Sequence, residues 1–151
     1  KHLIQSTKNL PLKGHWCEFG VREGRSLQWL IEEYPTQIIH AFDSWEGLPE
    51  DWDHGQGIVS SMACDPPKVP AHMDADIYSS TFEVLTALND QIVSGTIIAF
   101  DEFCNFRLSG KMSKWQQQEF KALIDWLDKF DREVVPLNRN WAYQATCKVI
   151  R

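Results

Sequence analysis

No stretch of this chain is apolar for long enough to cross a bilayer, and Lys1 is not followed by the charged, apolar and small-residue succession of a secretory leader. A membrane partner is therefore not expected, and the expected location is cytoplasmic. No run of Lys or Arg occurs and the formal net charge is −6, so the basic stripe that a phosphate backbone calls for is missing. Nucleic acid is thus not an expected partner either. Cysteine is sparse: Cys17, Cys64, Cys104 and Cys147 form no CxxC pair, and no His stands at zinc spacing from them. Reduced, mostly buried thiols follow from that scatter. There is no internal repeat.

What is present suits one domain, residues 1–151, of 43% apolar and 24% charged residues. Seven Trp is a high count, expected to serve core and rim packing with room for one beside a ligand cleft. Residues 1–13 show no period and read as an N-terminal cover segment. "HWCEFGV" reads as a buried strand. Leu27, Leu30, Ile31 and Tyr34 recur at helical spacing from Ser26 until Pro35. "QIIHAF" is a second strand ending at Asp43. The Gly-, Pro- and Asp-rich stretch from Asp43 to Pro70 reads as a long loop of the functional kind. "AHMDADIY" reads as a short strand, and Ser80 with Glu83 as a capping box opening a helix that carries Val84, Leu85 and Leu88. "GTIIAFDEF" is a further buried strand. Phe120, Leu123, Ile124 and Leu127 mark another helix, and "REVVPLNRN" and "YQATCKVI" a terminal strand pair. Strands alternating with helices predict an α/β fold with a largely parallel sheet covered on both faces.

In such a sheet, ligands bind beyond the carboxyl ends of the strands. The polar clusters fall there. Glu18 and Gly20 end the first strand, Asp43 the second, Asp74 and Asp76 the next, and Asp101 and Glu102 the one after. Gly20 and Gly24 permit a tight turn that brings backbone N–H groups against a ligand. Asp43 follows about twenty residues on, where an acid can grip ribose hydroxyls. The third glycine of a dinucleotide fingerprint is missing from Gly20-Val21-Arg22-Glu23-Gly24, which weakens a dinucleotide reading and permits another adenosine-bearing cofactor. Neighbouring strands lie about 4.8 Å apart, so Asp74 and the Asp101–Glu102 pair could share a cation with oxygens at about 2.1 Å. All-oxygen donors favour Mg²⁺, Mn²⁺ or Ca²⁺. The bland alternative is a solvated acidic rim or a set of helix caps. Asp76, two residues beyond Asp74, is a candidate general base.

Four stretches, "EFGVREGRSL", "AFDSWEGLPEDW", "HMDADIYSST" and "GTIIAFDEF", together resemble in order the motifs of class I S-adenosylmethionine-dependent methyltransferases. The resemblance is to the macrocin O-methyltransferase-like group, which acts on sugars of antibiotics, and it runs from about residue 14 to the C-terminus. It implies a Rossmann-like sheet of seven strands, mostly parallel with an antiparallel last strand. It implies that Glu18, Phe19, Gly20, Gly24 and Ser26 cradle the methionine part of S-adenosyl-L-methionine, that Asp43 binds the ribose, and that Ser44 and Trp45 line the adenosine pocket. It further implies Mg²⁺ on Asp74, Asp101 and Glu102, with Asp76 as base. The implied partner is a hydroxylated small molecule such as a glycosylated natural product. The family's strand and helix before "HMDAD" have no counterpart after "PPKVP", so a stretch omitted near Pro70–Ala71 is expected. Exchange of the N-terminal segment between subunits would make a homo-oligomer. Two other classes compete: a nucleotide-binding oxidoreductase on the same rim, and a non-catalytic interaction domain.

Overall fold

The computed structural model describes residues 14–46, 52–53, 58–59, 77–103, 115–139 and 144–151. These fall into two units, the first holding the described residues up to Trp52 together with Ile58–Val59, the second holding Asp53 and everything described from Ile77 onward. Two short strands, β3 (Trp52–Asp53) and β4 (Ile58–Val59), lie within the stretch expected to be a long loop.

In the first unit, β1 (Trp16–Phe19) leads through a glycine turn to α1 (Arg25–Glu33) and on to β2 (Ile39–Phe42). β1 and β2 run parallel, in register from Trp16 opposite Ile39 to Phe19 opposite Phe42. Leu27 and Leu30, one helical turn apart, are buried with Val21, and Trp16, Tyr34, Ile39, Ala41 and Trp45 pack around them. α1 stops where the Tyr34 N–H donates to the Leu30 carbonyl at 2.8 Å, and Pro35 cannot extend the ladder. Ile31, expected on the buried stripe, is 40% exposed.

The second unit contains α2 (Tyr78–Ala87), β5 (Ile97–Phe100), a 3₁₀ turn (Trp115–Gln117), α3 (Glu119–Phe130), β6 (Val134–Arg139) and β7 (Ala145–Val149). The sheet order is β5-β7-β6, with β7 antiparallel to both neighbours. Leu85, Ile92, Ile98, Phe100, Leu123, Trp126, Cys147 and Val149 form its core. Burial pushes the Cys147 thiol up to about 12, so this cysteine behaves as a packed apolar group. Cys17, by contrast, is exposed, against the expectation of buried thiols.

The expected architecture, one mostly parallel Rossmann-like sheet with helices on both faces, is not what the chain forms. The described strands make three small sheets, the parallel pair β1-β2, the short pair β3-β4 and the antiparallel β5-β7-β6, accompanied by three helices. The burial of the strands shows why the inference failed. A parallel sheet covered on both faces is buried almost continuously along each strand. In β2, half-buried and exposed residues alternate, and in β1 only Glu18 is buried. Alternation of strands and helices along a sequence leaves open which strands become neighbours. Residues 71–76 of the expected "AHMDADIY" strand lie outside the described residues, while Ile77 and Tyr78 already open α2.

The capping box is corrected too. Ser80 sits inside α2, whose N-cap is Ile77 without a side-chain cap. The helix meets its need for acceptors at long range: the Tyr78 N–H donates to Oε1 of Gln118, just ahead of α3, at 3.0 Å. The Tyr78 hydroxyl donates to Asp125 at 2.8 Å, and Lys121 pairs with the same carboxylate oxygen while lying over the Tyr78 ring at 4.9 Å. Tyr78 is thereby tied to α3 at both its main chain and its phenol.

The hydrogen bond from Lys121, then that from Tyr78, lowers the Asp125 pKa, while the bond to Asp125 raises both Tyr78 and Lys121. The lowered group stabilises the fold above the ordinary carboxylate range and loses that effect as pH falls through its folded value. The raised groups stabilise below about pH 10 and lose it at higher pH. The difference in urea midpoint between wild type and D125N should therefore be flat from about pH 5 to 9 and shrink at both extremes. A difference that stays constant from acid to alkali would show that these bonds do not form. In the core, Trp126 is fully buried, and Trp126→Ala should cost about 3–5 kcal/mol in denaturant unfolding.

Candidate functional site

The turn between β1 and α1 places three residues in the left-handed region: Gly20 at φ 80°, Arg22 at 40° and Gly24 at 85°. Glycine adopts this conformation without cost, whereas Arg22 is strained and must be held there. The Gly20 N–H donates to the Phe42 carbonyl at 2.9 Å, and the Gly24 N–H to Val21 at 3.1 Å.

What holds Arg22 is Asp43, the residue immediately beyond β2. One oxygen of its carboxylate accepts the Val21 N–H and the Arg22 N–H, the latter at 2.8 Å, and the other accepts the Trp45 N–H at 2.6 Å. Ser44 continues the wrap, its hydroxyl accepting the Glu46 N–H at 3.2 Å. A carboxylate offers about four lone-pair positions, so among the described residues about one is left uncommitted at Asp43, where a ligand hydroxyl could donate. The turn's own N–H groups at Val21 and Arg22 thus point at Asp43, where sequence reasoning had them facing a ligand. The Trp45 indole Nε1 is buried without a hydrogen-bond partner among the described residues. A buried donor in that state costs free energy until an acceptor arrives, and this one lies two residues from Asp43. Glu18 is buried at 2% exposure, Phe19 stacks on Phe42 with centroids 4.9 Å apart, and Ser26 is half-buried in the first turn of α1. Glu18, Phe19, Gly20, Gly24, Ser26, Asp43, Ser44 and Trp45 all belong to this one unit. The spare lone pair and the orphaned indole N–H suit a polar, hydroxyl-bearing cofactor.

Asp101 and Glu102 directly follow β5 in the second unit. Asp101 accepts a hydrogen bond from Gln144 Nε2. Glu102 is 7% exposed, and its N–H donates to Glu119 Oε2 at 2.8 Å. Glu119, 3% exposed in the first turn of α3, is the residue that sequence reasoning missed. Its signal was available: residues 119, 122, 123 and 126 form the buried stripe of α3, and one of them is an acid. Phe120, Ile124 and Leu127, expected on that stripe, are half-buried or exposed. Asp74 and Asp76 lie outside the described residues, and no group of three or more metal-capable side chains gathers among those described. The donor chemistry of Asp101 and Glu102, oxygen only, fits a hard cation such as Mg²⁺.

Phe100 and Phe103, on either side of this acidic pair, line a cavity of about 500 Å³ together with Trp115, Phe120, Leu137 and Arg139. Its volume falls within the roughly 300–1,000 Å³ typical of small-molecule pockets. The rings hold one another: Phe100 stacks on Phe103 at 4.8 Å, and Phe120 meets both Phe103 and Trp115 edge-on at 5.3 Å.

If Asp43 fixes the turn, D43A should strip hydrogen-exchange protection from the Val21, Arg22 and Trp45 amides and cost the first unit about 1.5–3 kcal/mol, the range for a hydrogen bond to a charged group. Unchanged protection at Val21 and Arg22 would contradict that role. No helix among the described residues is long and apolar enough to cross a membrane. Compared with protein-family models, with curated proteins and with solved structures, the chain matches none.

Proposed function

We propose that the chain is an S-adenosylmethionine-dependent, Mg²⁺-dependent O-methyltransferase acting in the cytoplasm on a hydroxyl of a small molecule, a natural-product sugar being the acceptor class that its motifs resemble. The observation that supports this reading is the meeting of the Glu18–Gly24 turn with Asp43, whose carboxylate also takes the Trp45 N–H, while the indole N–H of that same Trp45 is buried without a partner among the described residues. Asp43 would accept from a ribose hydroxyl, and Trp45 would donate to an acceptor on the adenosine.

The bound cofactor supplies a methyl group made electrophilic by its sulfonium. The chain's residues then have two tasks, to position an attacking hydroxyl and to take its proton. Asp101 and Glu102 would offer oxygen donors to a Mg²⁺ ion, which would supply orientation and acidification of the hydroxyl, and Asp74 is the further donor that the motif resemblance implies. Asp76 is the base in this reading. The aromatic cavity flanking Asp101 and Glu102 supports an acceptor whose apolar body packs against Phe100, Phe103 and Phe120. Such positioning contributes much of the acceleration.

Two variants separate the tasks. Gly20→Val, at a position that requires positive φ, should abolish binding of S-adenosylmethionine in calorimetry. D101N should leave that binding intact and reduce Mg²⁺-stimulated methyl transfer by more than about tenfold. A wild-type chain that binds NAD in preference to S-adenosylmethionine would overturn the proposal.

A further inference from the structure

The first unit carries a second polar cluster, at the end of its strands remote from Asp43. His15 directly precedes β1, and His40 lies within β2. Nδ1 of His15 and Nε2 of His40 stand 3.1 Å apart, with ring centroids separated by 5.2 Å and both residues exposed. The backbone explains the meeting. Register sets Cys17 opposite His40 and Phe19 opposite Phe42. Side chains alternate along a strand, so His15, Cys17 and Phe19 share a face, as do His40 and Phe42. The stacked Phe19 and Phe42 rings mark these as the same side of the sheet. The parallel ladder, then, sets the two imidazoles side by side.

Two imidazole nitrogens at this separation can share one proton, one ring donating and the other accepting. They can equally direct both lone pairs at one cation. With metal–nitrogen bonds of about 2.05 Å, two ligands lie about 2.9 Å apart at a right angle and about 3.3 Å apart at the tetrahedral angle. The observed 3.1 Å falls between these limits. The geometry points to a two-imidazole chelate formed by His15 and His40 for a borderline divalent transition-metal ion, Zn²⁺, Ni²⁺ or Cu²⁺, with water completing the coordination. Imidazole selects such ions over Mg²⁺ and Ca²⁺, so the site is chemically distinct from the oxygen donors of Asp101 and Glu102. No third metal-capable side chain joins the pair among the described residues, which makes it weaker than a four-ligand structural zinc site. An ion held there would bridge β1 and β2 and stabilise the first unit by mass action.

The test titrates the full chain with Ni²⁺ in the presence of excess Mg²⁺, by calorimetry and by thermal unfolding. Wild type should bind one equivalent and show a raised midpoint. H15N and H40N should each weaken binding by at least about tenfold, and the double substitution should remove the rise in midpoint. Affinity unchanged in both single variants, or an equal rise in the double variant, would overturn the assignment. A second measurement needs no substitution. In the unaltered chain, substoichiometric Cu²⁺ should broaden the imidazole signals of His15 and His40 before any others in NMR spectra, and broadening that starts elsewhere would refute the site. Neither readout depends on methyl transfer.

Discussion

Three main-chain N–H groups from two separate turns converge on the carboxylate of Asp43, and the first unit organises its rim around that carboxylate. Its fully buried apolar side chains among the described residues are Val21, Leu27 and Leu30. Each contributes about 1.5–3 kcal/mol, the same range as a single hydrogen bond to a charged group. The Asp43 network is therefore of the same order as that apolar core. It also acts where the core cannot, because it keeps Arg22 and Trp45, neither of them glycine, at positive φ. The rim at the ends of β1 and β2 is a strained surface held by one carboxylate, and the proposed cofactor site is built on it.

The second unit is organised differently. Among its described residues a cluster of eight buried side chains supplies the core, and polar contacts serve to align its parts. Tyr78 ties the start of α2 to α3 through Gln118 and Asp125. At the other end of α2, the Arg132 guanidinium donates to the Asn89 carbonyl at 2.6 Å and lies over the Trp126 ring at 5.8 Å. Both ends of α2 are thus fastened to the segment that carries Glu119, whose carboxylate in turn receives the Glu102 N–H. The acidic pair after β5 is positioned from the helix layer as well as from its own strand.

The individual elements were largely legible in the sequence, because short-range periodicity fixes them. Leu27 and Leu30 marked α1, Pro35 ended it, and the terminal strand pair stood out by composition. What periodicity could not convey was partnership. "IIAF" and "IHAF" look alike as apolar runs, yet one pairs antiparallel with β7 and the other parallel with β1. The start of α2 was misread for a related reason: a capping box is local, while the acceptor that serves Tyr78 lies 40 residues away. In the candidate site, Asp43 was singled out as a ligand residue, but its bonds to Val21 and Arg22 depend on two strands becoming neighbours. Glu119 was overlooked because an acid within an apolar stripe reads at first as solvent-facing.

One feature of the antiparallel sheet bears on how the chain meets copies of itself. Among the described strands β6 forms an edge of that sheet, and its register against β7 skips a residue between Pro136 and Asn138. Proline has no N–H to offer an incoming strand, and a skipped residue bends the edge away from a straight template. This border is thereby poorly suited to recruiting another polypeptide by main-chain pairing, even though Val135 and Leu137 are partly exposed along it. The chain can carry apolar side chains on its rim without inviting fibre growth from that side.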